Sequence, residues 1–417
     1  MQLLAVLLSL LLQAEETSQP KITVIRGARI YTGSGPSLDS GVIVIEKGRI
    51  TAVGKDVPIP PAADIIDATG KVVIPGLIDA ASRLFIPATG ERSPGSAEQR
   101  ALDGLDFFQR DALEAVQQGV TTVYVSPVSV GTVNGLGVIV HLDAAHSVLQ
   151  KEAALKLTLG ASGGDSSSAL ERYQSYPQLK QTFEAAKQYL EDGEKYRRDL
   201  AAYEQAQKEK KTTDVKNPTK PKTDLKQEIV ARCFDAKKPL TVRIEVHTAD
   251  AITLALRLVE EYKLKAVLEY VTEGGDVAAA IAKSKVPAVV GPVFRLGNSS
   301  VDYLRHSPGT ASVLSKEGVS VAIGSFADER AGALGPGAAR FLAESAAYAS
   351  KGQTREQALA MITIEPAKIL GIDPTHGSIE KDKVADLVLL SGEPFDPTTR
   401  VDRTWIDGVS VYARGNR

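Results

Sequence analysis

The sequence predicts an α/β fold in which a parallel β/α barrel occupies the middle of the chain. Between about residues 76 and 372, short apolar runs alternate with helical patterns, which favours βα units and a parallel sheet. Both ends of the chain instead carry short runs of alternating branched and polar residues between glycines. That pattern is typical of hairpin strands, so we expect a β-rich segment at each end of the chain.

Length and composition are compatible with one large core or two moderate ones. The chain has 417 residues, of which 43% are hydrophobic, and a formal net charge of −2. A balance so close to neutral gives no bias toward nucleic acid or anionic membrane surfaces. Cys233 is the only cysteine in the sequence, so an intrachain disulfide is impossible.

The first residues read as an export signal. Residues 3–12 form an apolar run of the length of a signal-peptide core, too short for the roughly 20 residues of a membrane span. We expect residues 1–14 to be removed near Ala14, and the mature protein to be periplasmic or extracellular without a membrane span. An apolar tail packed on the body of the protein is the alternative.

The terminal strands come first and last. Hairpin strands are predicted at residues 21–33 and 41–54, followed by a strand and a turn at residues 64–71. Short strands are also predicted at residues 377–390 and 401–412. Residues 73–84 form an apolar run that Pro75 and Gly76 interrupt before Leu-Ile-Asp. This run predicts a buried strand whose end lies at a functional site.

The central elements follow in order. Helices are predicted at residues 106–118, 249–262, 276–283, 310–317, 337–350 and 354–370, and strands at 119–127, 137–142, 240–247, 266–270, 287–292 and 319–325. Most of these strands are short, largely apolar and followed by a polar loop. A β/α barrel needs strands of this kind, because helices cover its outside and side chains fill its inside.

Residues 178–238 depart from this alternation. They are rich in Lys, Glu, Ala and Gln and predict a long helical insertion that is interrupted at residues 217–221. Both charge signs are interspersed, which indicates a solvated face. Tyr176, Phe183 and Tyr189 fall partly at helical spacing, so we expect them to pack the helix onto the barrel.

Three motifs resemble the amidohydrolase superfamily, and specifically its imidazolonepropionase-like branch. They are the Pro-Gly-Leu-Ile-Asp-Ala run at residues 75–80, the Gly-Ser-Ile-Glu run at 377–380 and the Ala-Asp-Leu-Val run at 385–388. The resemblance implies a TIM-like (β/α)8 barrel at residues 76–372, with the helical insertion at about 178–238. It further implies a composite β-sandwich built from residues 15–75 and 373–417. The reaction it implies is metal-dependent hydrolysis of a C–N bond in a cyclic or peptide-like amide.

The metal-ligand positions of that branch are largely lost in this sequence. Its first strand supplies His-x-His, two later strands a His each and the last strand an Asp, whereas this chain carries Ala81, Arg83, His247, Tyr270 and Phe326 there. A zinc hydrolase needs about three ligand atoms, and alanine and phenylalanine offer none. The guanidinium of Arg83 adds a permanent positive charge. We therefore expect no metal cofactor and a degenerate member of the superfamily that acts as a binding or scaffold protein.

An active hydrolase with a rearranged site is the alternative, and only this alternative calls for zinc or another divalent metal. Its candidate catalytic residues are Glu245, His247, Glu269 and Asp328. The pair Glu245 and His247 is suited to general acid–base chemistry, or is a buried hydrogen-bonded remnant. Asp328 lies two residues beyond the position of the expected acid, and either reaches the site or caps its own loop.

Arg83 and Tyr270 are the candidate substrate-binding residues. Arg83 placed near Glu245 or Glu269 would give a charge-compensated pocket, which either binds an anionic ligand or holds the barrel mouth together. His141, His146, His306 and His376 show no ligand spacing and read as ordinary loop or turn histidines. For partners we expect a small-molecule ligand and no nucleic acid, and leave open a homo-oligomer or pairing with an intact homologue.

Overall fold

A computed structural model of the chain describes residues 22–86, 95–160, 169–209, 215–293, 305–326 and 342–415, with side chains in the long insertion helix from residue 174. The predicted signal segment at residues 1–14 and Asp328 lie outside the described residues. Within the described ranges, none of the helices combines the length and the apolarity that crossing a membrane requires.

The described secondary structure contains sixteen strands and nine α-helices, besides three short 3₁₀-helices. The strands are β1 (Thr23–Ile30), β2 (Leu38–Glu46), β3 (Arg49–Gly54), β4 (Asp64–Asp67), β5 (Val72–Pro75), β6 (Leu77–Ser82), β7 (Val120–Val125), β8 (Val133–His141), β9 (Val148–Thr158), β10 (Thr241–Val246), β11 (Ala266–Tyr270), β12 (Ala288–Val290), β13 (Val321–Ile323), β14 (Leu387–Leu390), β15 (Val401–Ile406) and β16 (Val409–Ala413). The helices are α1 (Asp111–Gln117), α2 (Ala169–Lys208), α3 (Leu225–Ala231), α4 (Ala249–Tyr262), α5 (Ala278–Ser284), α6 (Thr310–Lys316), α7 (Leu342–Ala349), α8 (Arg355–Ala360) and α9 (Ile364–Leu370).

One sheet joins the two ends of the chain, as the sequence predicts. Its strand order is β16-β15-β14-β5-β1-β2-β3, and β4 also pairs with β1. The junction is the antiparallel pair β5 and β14, in which Val73 lies opposite Leu389. Buried side chains from both ends, among them Ile25, Ile43 and Trp405, share one core. The composite β domain is therefore confirmed.

The second sheet has eight strands in the order β6 to β13 and forms a nearly closed barrel. Its neighbours are parallel except at β8, which is antiparallel to both β7 and β9. This strand departs from the expected βα alternation because the connections on either side of it are too short to hold a crossover helix. The barrel is confirmed, and β9 is a strand that the sequence does not predict.

The barrel closes where β6 meets β13. The N–H of Phe326 donates to the carbonyl of Ala81 at 2.9 Å near the carboxyl ends of these strands. Toward their amino ends, the N–H of Ile78 donates to the carbonyl of Ile362 at 2.8 Å, and the N–H of Ile323 to that of Met361 at 2.9 Å. The chain between α8 and α9 thus supplies two acceptors to the closing strands.

The prediction of one continuous helix at residues 354–370 is wrong. The structure breaks it between Ala360 and Ile364, and Pro366 explains the break. A proline in a helix interior removes a backbone hydrogen bond and clashes with the preceding turn, whereas the first turn of a helix tolerates it. Pro366 is the third residue of α9, where its missing N–H costs nothing.

Two other helix starts differ from prediction. α1 begins at Asp111 rather than at residue 106, because the Asp106 carboxylate accepts the N–H of Phe108 and forms a local turn. α2 begins at Ala169, earlier than residue 178. The packing role of its aromatic residues is confirmed: Phe183 is fully buried, with its ring 5.1 Å from that of Tyr262.

Candidate functional site

The alternation of side chains along β10 carries three polar residues to the inside of the barrel. Val242, Ile244 and Val246 belong to the core beneath the helices, so Arg243, Glu245 and the following His247 point the other way. On the neighbouring strand, Glu269 lies directly opposite Glu245. Two carboxylates in that register repel each other unless a cation lies between them.

Lys156 of β9 supplies that cation. Its ammonium contacts the Glu269 carboxylate and lies 2.9 Å from Oε2 of Glu245. The guanidinium of Arg243 contacts the other oxygen of Glu269, donates to the carbonyl of Ala80 at 2.7 Å and stacks 3.9 Å above the ring of Tyr124. Two cations and two anions therefore cancel, as buried charges require.

The cations fix the ionisation of both carboxylates. Burial alone would raise the pKa of Glu269, but the charges of Lys156 and Arg243 outweigh burial and hold that pKa below its usual range. Burial would likewise raise the pKa of Glu245. The charge of Lys156 and the contacts with His247 and Ser129 outweigh burial and lower this pKa as well. A general base works best with a pKa near the working pH, so both groups are poorly suited to that task.

His247 and two aromatic rings lie above this network. Nδ1 of His247 is 2.9 Å from the Thr272 hydroxyl, and Nε2 is 3.6 Å from Oε1 of Glu245. The His247 ring centroid is 4.7 Å from that of Tyr270, which in turn lies 4.2 Å from that of Phe326. Tyr270 (φ +67°) and Phe326 (φ +41°) both have left-handed backbone, which side chains other than glycine adopt rarely. This strained backbone brings the two rings together.

The space left at the mouth is small. A cavity of about 10 Å³ is lined by Arg83, Ser126, Ser129, Lys156, Tyr270 and Phe326, together with neighbours from β6 and the β7–β8 connection. That volume has room for about one water molecule. The Ser126 hydroxyl is buried there and has no partner among the described groups. The described side chains alone leave no room for an organic substrate between them.

Arg83 forms no ion pair with Glu245 or Glu269, whose cationic partners are Lys156 and Arg243. The positive charges of this network are those of Lys156 and Arg243, and the Arg83 guanidinium forms no hydrogen bond or ion pair with another described residue. It lies half-buried at the cavity instead.

Asp79 fastens the barrel closure below the mouth. Its Oδ1 accepts the backbone N–H groups of Ser325 at 2.9 Å and Ala81 at 3.3 Å, while the Ser325 hydroxyl donates to Oδ2 at 2.5 Å. Burial raises the pKa of Asp79 to about 6, although these hydrogen bonds oppose the rise. The carboxylate therefore joins β6 to the end of β13 and is costly to ionise.

The mouth does not fit the metal that the resemblance implies. Of the five family positions only His247 offers one of the nitrogen or carboxylate ligands that zinc hydrolases use, and the nearby carboxylates are engaged by Lys156. The Phe326 ring fills the space beside Gly291, where an added Cβ would lie 2.6 Å from that ring. We therefore derive no step through a metal at the mouth.

Metal-ligating side chains do converge elsewhere, so the expectation of no metal is not supported for the whole protein. In the part of the chain that the structure describes, two groups of three ligand residues lie close enough to share an ion, and both contain His141. His141 is 2% exposed and its Nε2 is 2.8 Å from Oδ2 of Asp386. The ring of the buried His376 lies edge-on at 5.3 Å. His141 is the last residue of β8 rather than a loop residue, whereas His376 lies in a bend, as the sequence predicts.

The candidate residues thus fall into three groups. Glu245, His247 and Tyr270 gather at the mouth, Glu269 is fully buried in the network beneath it, and Asp328 is outside the described residues. Sequence reasoning missed Lys156, because β9 was not recognised. The signal was present in the alternation of Leu155, Lys156 and Leu157, with apolar residues on one face of the strand.

Comparisons with known proteins agree with this architecture. The profile of the amidohydrolase family matches residues 104–412. An amidohydrolase structure from Thermotoga maritima MSB8 has a TM-score of 0.78 and 28% sequence identity, covering 94% of this chain and 100% of that chain. Imidazolonepropionase from Pseudomonas savastanoi pv. phaseolicola is 31% identical over 162 residues, which are 38% of each protein. Dihydroorotase from Mycobacterium tuberculosis is 42% identical over 64 residues. That match spans 15% of this chain and 14% of the dihydroorotase.

Proposed function

Because the chain belongs to the amidohydrolase family, we propose that it is a non-hydrolytic member that acts as a binding or scaffold protein. The observation that carries the proposal is the position of Lys156. Its ammonium lies between the carboxylates of Glu245 and Glu269, and the Glu245 carboxylate is 3.6 Å from the mouth histidine, His247. A buried ion-pair network takes the place of a metal centre.

Charge and donor count support this proposal together. Hydrolytic metal sites hold the ion with about three protein ligands, and the ion lowers the pKa of its water to about 7. At this mouth a metal ion would face the positive charges of Lys156 and Arg83, with His247 as the sole imidazole at the five family positions. The electrostatic repulsion between the metal ion and these two nearby cations outweighs the binding free energy that one imidazole ligand contributes.

For the binding role, we propose Arg83 as the anion-binding residue and Tyr270 as an aromatic wall beside it. The support is that Arg83 has no ion-pair partner among the described residues, and that the Ser126 hydroxyl nearby is unpartnered and buried. A cavity of about 10 Å³ is far below the roughly 300 Å³ of a typical ligand pocket. A ligand would therefore place about one oxygen atom of an anionic group, such as a carboxylate, in the cavity, with the rest of the ligand outside it.

The rearranged hydrolase remains the second candidate because His247 and Glu245 lie within 3.6 Å of each other at the mouth. An imidazole oriented by a carboxylate is a recurring acid–base pair. Lys156 and Ser129, however, both contact the same oxygen of Glu245 and lower its pKa. That arrangement favours a structural role for the carboxylate over a catalytic one.

An activity assay separates the two candidates. Cyclic amides and dipeptides are incubated with the purified protein, with and without added zinc, beside the variants Glu245→Gln and His247→Gln. We expect no turnover above that of the variants. Hydrolysis by the unmodified protein that either substitution abolishes would refute the non-hydrolytic proposal.

Calorimetry tests the binding role. Titration with small carboxylates should show binding that Arg83→Gln weakens at least about tenfold, since a charge-assisted contact of this kind is worth about 1.5–3 kcal/mol. Arg257, which is exposed on α4, provides the matched control Arg257→Gln. Equal affinities in all three proteins would remove Arg83 from the proposal.

A further inference from the structure

We propose that His141, His376 and Asp386 form a binding site for a divalent transition-metal ion, with zinc as the natural probe. The site lies between the barrel and the composite β domain, away from the mouth network. His141 is the last residue of β8, His376 follows α9 and Asp386 immediately precedes β14. Two imidazoles and a carboxylate are a ligand set that suits zinc and its first-row neighbours.

The distances fit an ion after small side-chain rotations. Nε2 of His141 lies 2.8 Å from Oδ2 of Asp386, and Nε2 of His376 lies 4.0 Å from the same oxygen. All three ligand atoms are within 4.8 Å of one another. Zinc with bonds of 2.0–2.1 Å holds tetrahedral ligand atoms about 3.3 Å apart, a value between the two measured distances.

The outward-facing atoms of the three residues are already engaged, which leaves one ligand atom of each for the ion. Nδ1 of His376 is 2.8 Å from the Thr375 hydroxyl, and Nδ1 of His141 is 3.5 Å from Oδ2 of Asp407. Oδ1 of Asp386 accepts the N–H of Asp407 at 3.1 Å. Metal-bound histidines characteristically donate their second nitrogen to such a carboxylate or hydroxyl partner, which fixes the tautomer and the ring orientation.

The unpartnered nitrogen of His376 points to a ligand rather than to a closed hydrogen-bond cluster. Nε2 of His376 is buried, and no described group forms a hydrogen bond with it, although the residue is only 7% exposed. Buried polar atoms almost always have a partner, so a missing one indicates an ion or a water. A simple pair between His141 and Asp386 accounts for their own contact but leaves this nitrogen unexplained.

The charge balance and the location also favour an ion. Asp386 and the half-exposed Asp407 bring two negative charges to the site, which match a divalent cation, and Asp407 marks a path from solvent. Three protein ligands leave one coordination position for water. Because His141 belongs to the barrel and Asp386 to the composite domain, the bound ion would hold the two domains together.

Cobalt and zinc binding test the site directly. The full chain is stripped with chelator and titrated with Co²⁺, whose visible absorption reports a four-coordinate nitrogen–oxygen site, and with Zn²⁺ in competition. We expect about one ion per chain. His376→Ala should weaken binding at least about 100-fold, because losing even an outer-shell partner of a metal site costs about 10–100-fold. Zinc should raise the melting temperature of the unmodified protein and leave that of His376→Ala unchanged.

Two control variants locate the ion. His247→Ala removes the mouth imidazole and His146→Ala a histidine outside the site, and both should bind as the unmodified protein does. Binding unchanged in His376→Ala, or no stoichiometric binding by the unmodified protein, would overturn the inference. Binding lost only in His247→Ala would instead place the ion at the mouth and refute the non-hydrolytic proposal. Should His376→Ala fail to fold, X-ray absorption of the loaded unmodified protein decides, since two coordinated imidazoles are expected and one or none refutes the site.

Discussion

The substitution Lys156→Met tests the ion-pair network at its centre. Methionine keeps an unbranched chain of similar length and removes the charge, so Glu245 and Glu269 are left facing each other in register. Arg243 still contacts Glu269, but among the described side chains the Glu245 carboxylate retains only Ser129 and His247. Removing one partner of a buried ion pair costs about 3–5 kcal/mol, a large share of a typical unfolding free energy of about 5–15 kcal/mol.

The pH dependence of that loss follows from the two carboxylates. Their pKa values lie below the usual range in the folded protein, so each contributes stability above its unfolded pKa of about 4.3 and loses it as pH falls through the folded pKa. Lys156→Met removes this contribution, and burial then favours the protonated acids. The deficit should therefore be largest near pH 7 and should shrink toward pH 4.

Equilibrium unfolding in urea between pH 4.5 and 8 measures the effect. The exposed Lys265 provides the control Lys265→Met, which should stay within about 0.5 kcal/mol of the unmodified protein. Adding Glu245→Gln to Lys156→Met should restore part of the loss, since it removes one of the facing charges. If Lys156→Met changed the unfolding free energy by less than about 1 kcal/mol at pH 7 and left its pH dependence unchanged, the network would not stabilise the fold as argued.

Further predictions concern the barrel closure and the chain ends. Asp79→Asn keeps the Oδ1 acceptor for the N–H groups of Ser325 and Ala81, and its amide N–H₂ replaces Oδ2 and can donate to the Ser325 hydroxyl. It removes an acid whose folded pKa is raised from 3.8 to about 6. A raised acid pKa costs stability as pH rises from about 4 to 6, so urea unfolding should show the variant gaining up to about 3 kcal/mol at pH 8 and nothing near pH 4; a gain independent of pH would contradict this. Deleting residues from Val384 onward removes β14–β16 from the composite sheet, so calorimetry should show no cooperative melting; a full transition would show that the N-terminal strands fold alone. Mass spectrometry of protein from an envelope or culture fraction should find an N-terminus near Glu15, whereas an intact Met1 in the cytoplasm would reverse the export proposal.

The sequence predicted the elements that depend on local pattern. α4 (Ala249–Tyr262) and β11 (Ala266–Tyr270) lie where periodicity places them, because a regular apolar face is a local property. The direction of β8 depended on the short connections around it rather than on the strand itself. Pro366 indicates the break before α9, but the helical periodicity of residues 354–370 continues across the break and predicts a single helix.

The candidate site was predictable only in part, because local sequence pattern positions only some of its residues. Counting residues to the strand ends placed Glu245, His247 and Glu269 close together. This worked because β10 and β11 follow each other in the chain and are also neighbours in the barrel. Lys156, which lies between the two carboxylates, belongs to β9. In the sequence, a single lysine in such a strand cannot be told from a surface residue. His141 and Asp386 are separated by 245 positions, so only the docking of the composite domain against β8 brings them together.

The zinc content of His376→Ala tests the central claim most directly, because that variant lacks the interdomain site and leaves the mouth intact. After equilibration with zinc and removal of free ion, we expect well under one zinc per chain. In the same background, Ala81→His, Arg83→His, Tyr270→His and Phe326→Asp together should raise the zinc content by restoring ligand atoms at the strand ends. About one tightly held zinc per chain in His376→Ala itself would contradict the claim that an ion-pair network has replaced the metal centre.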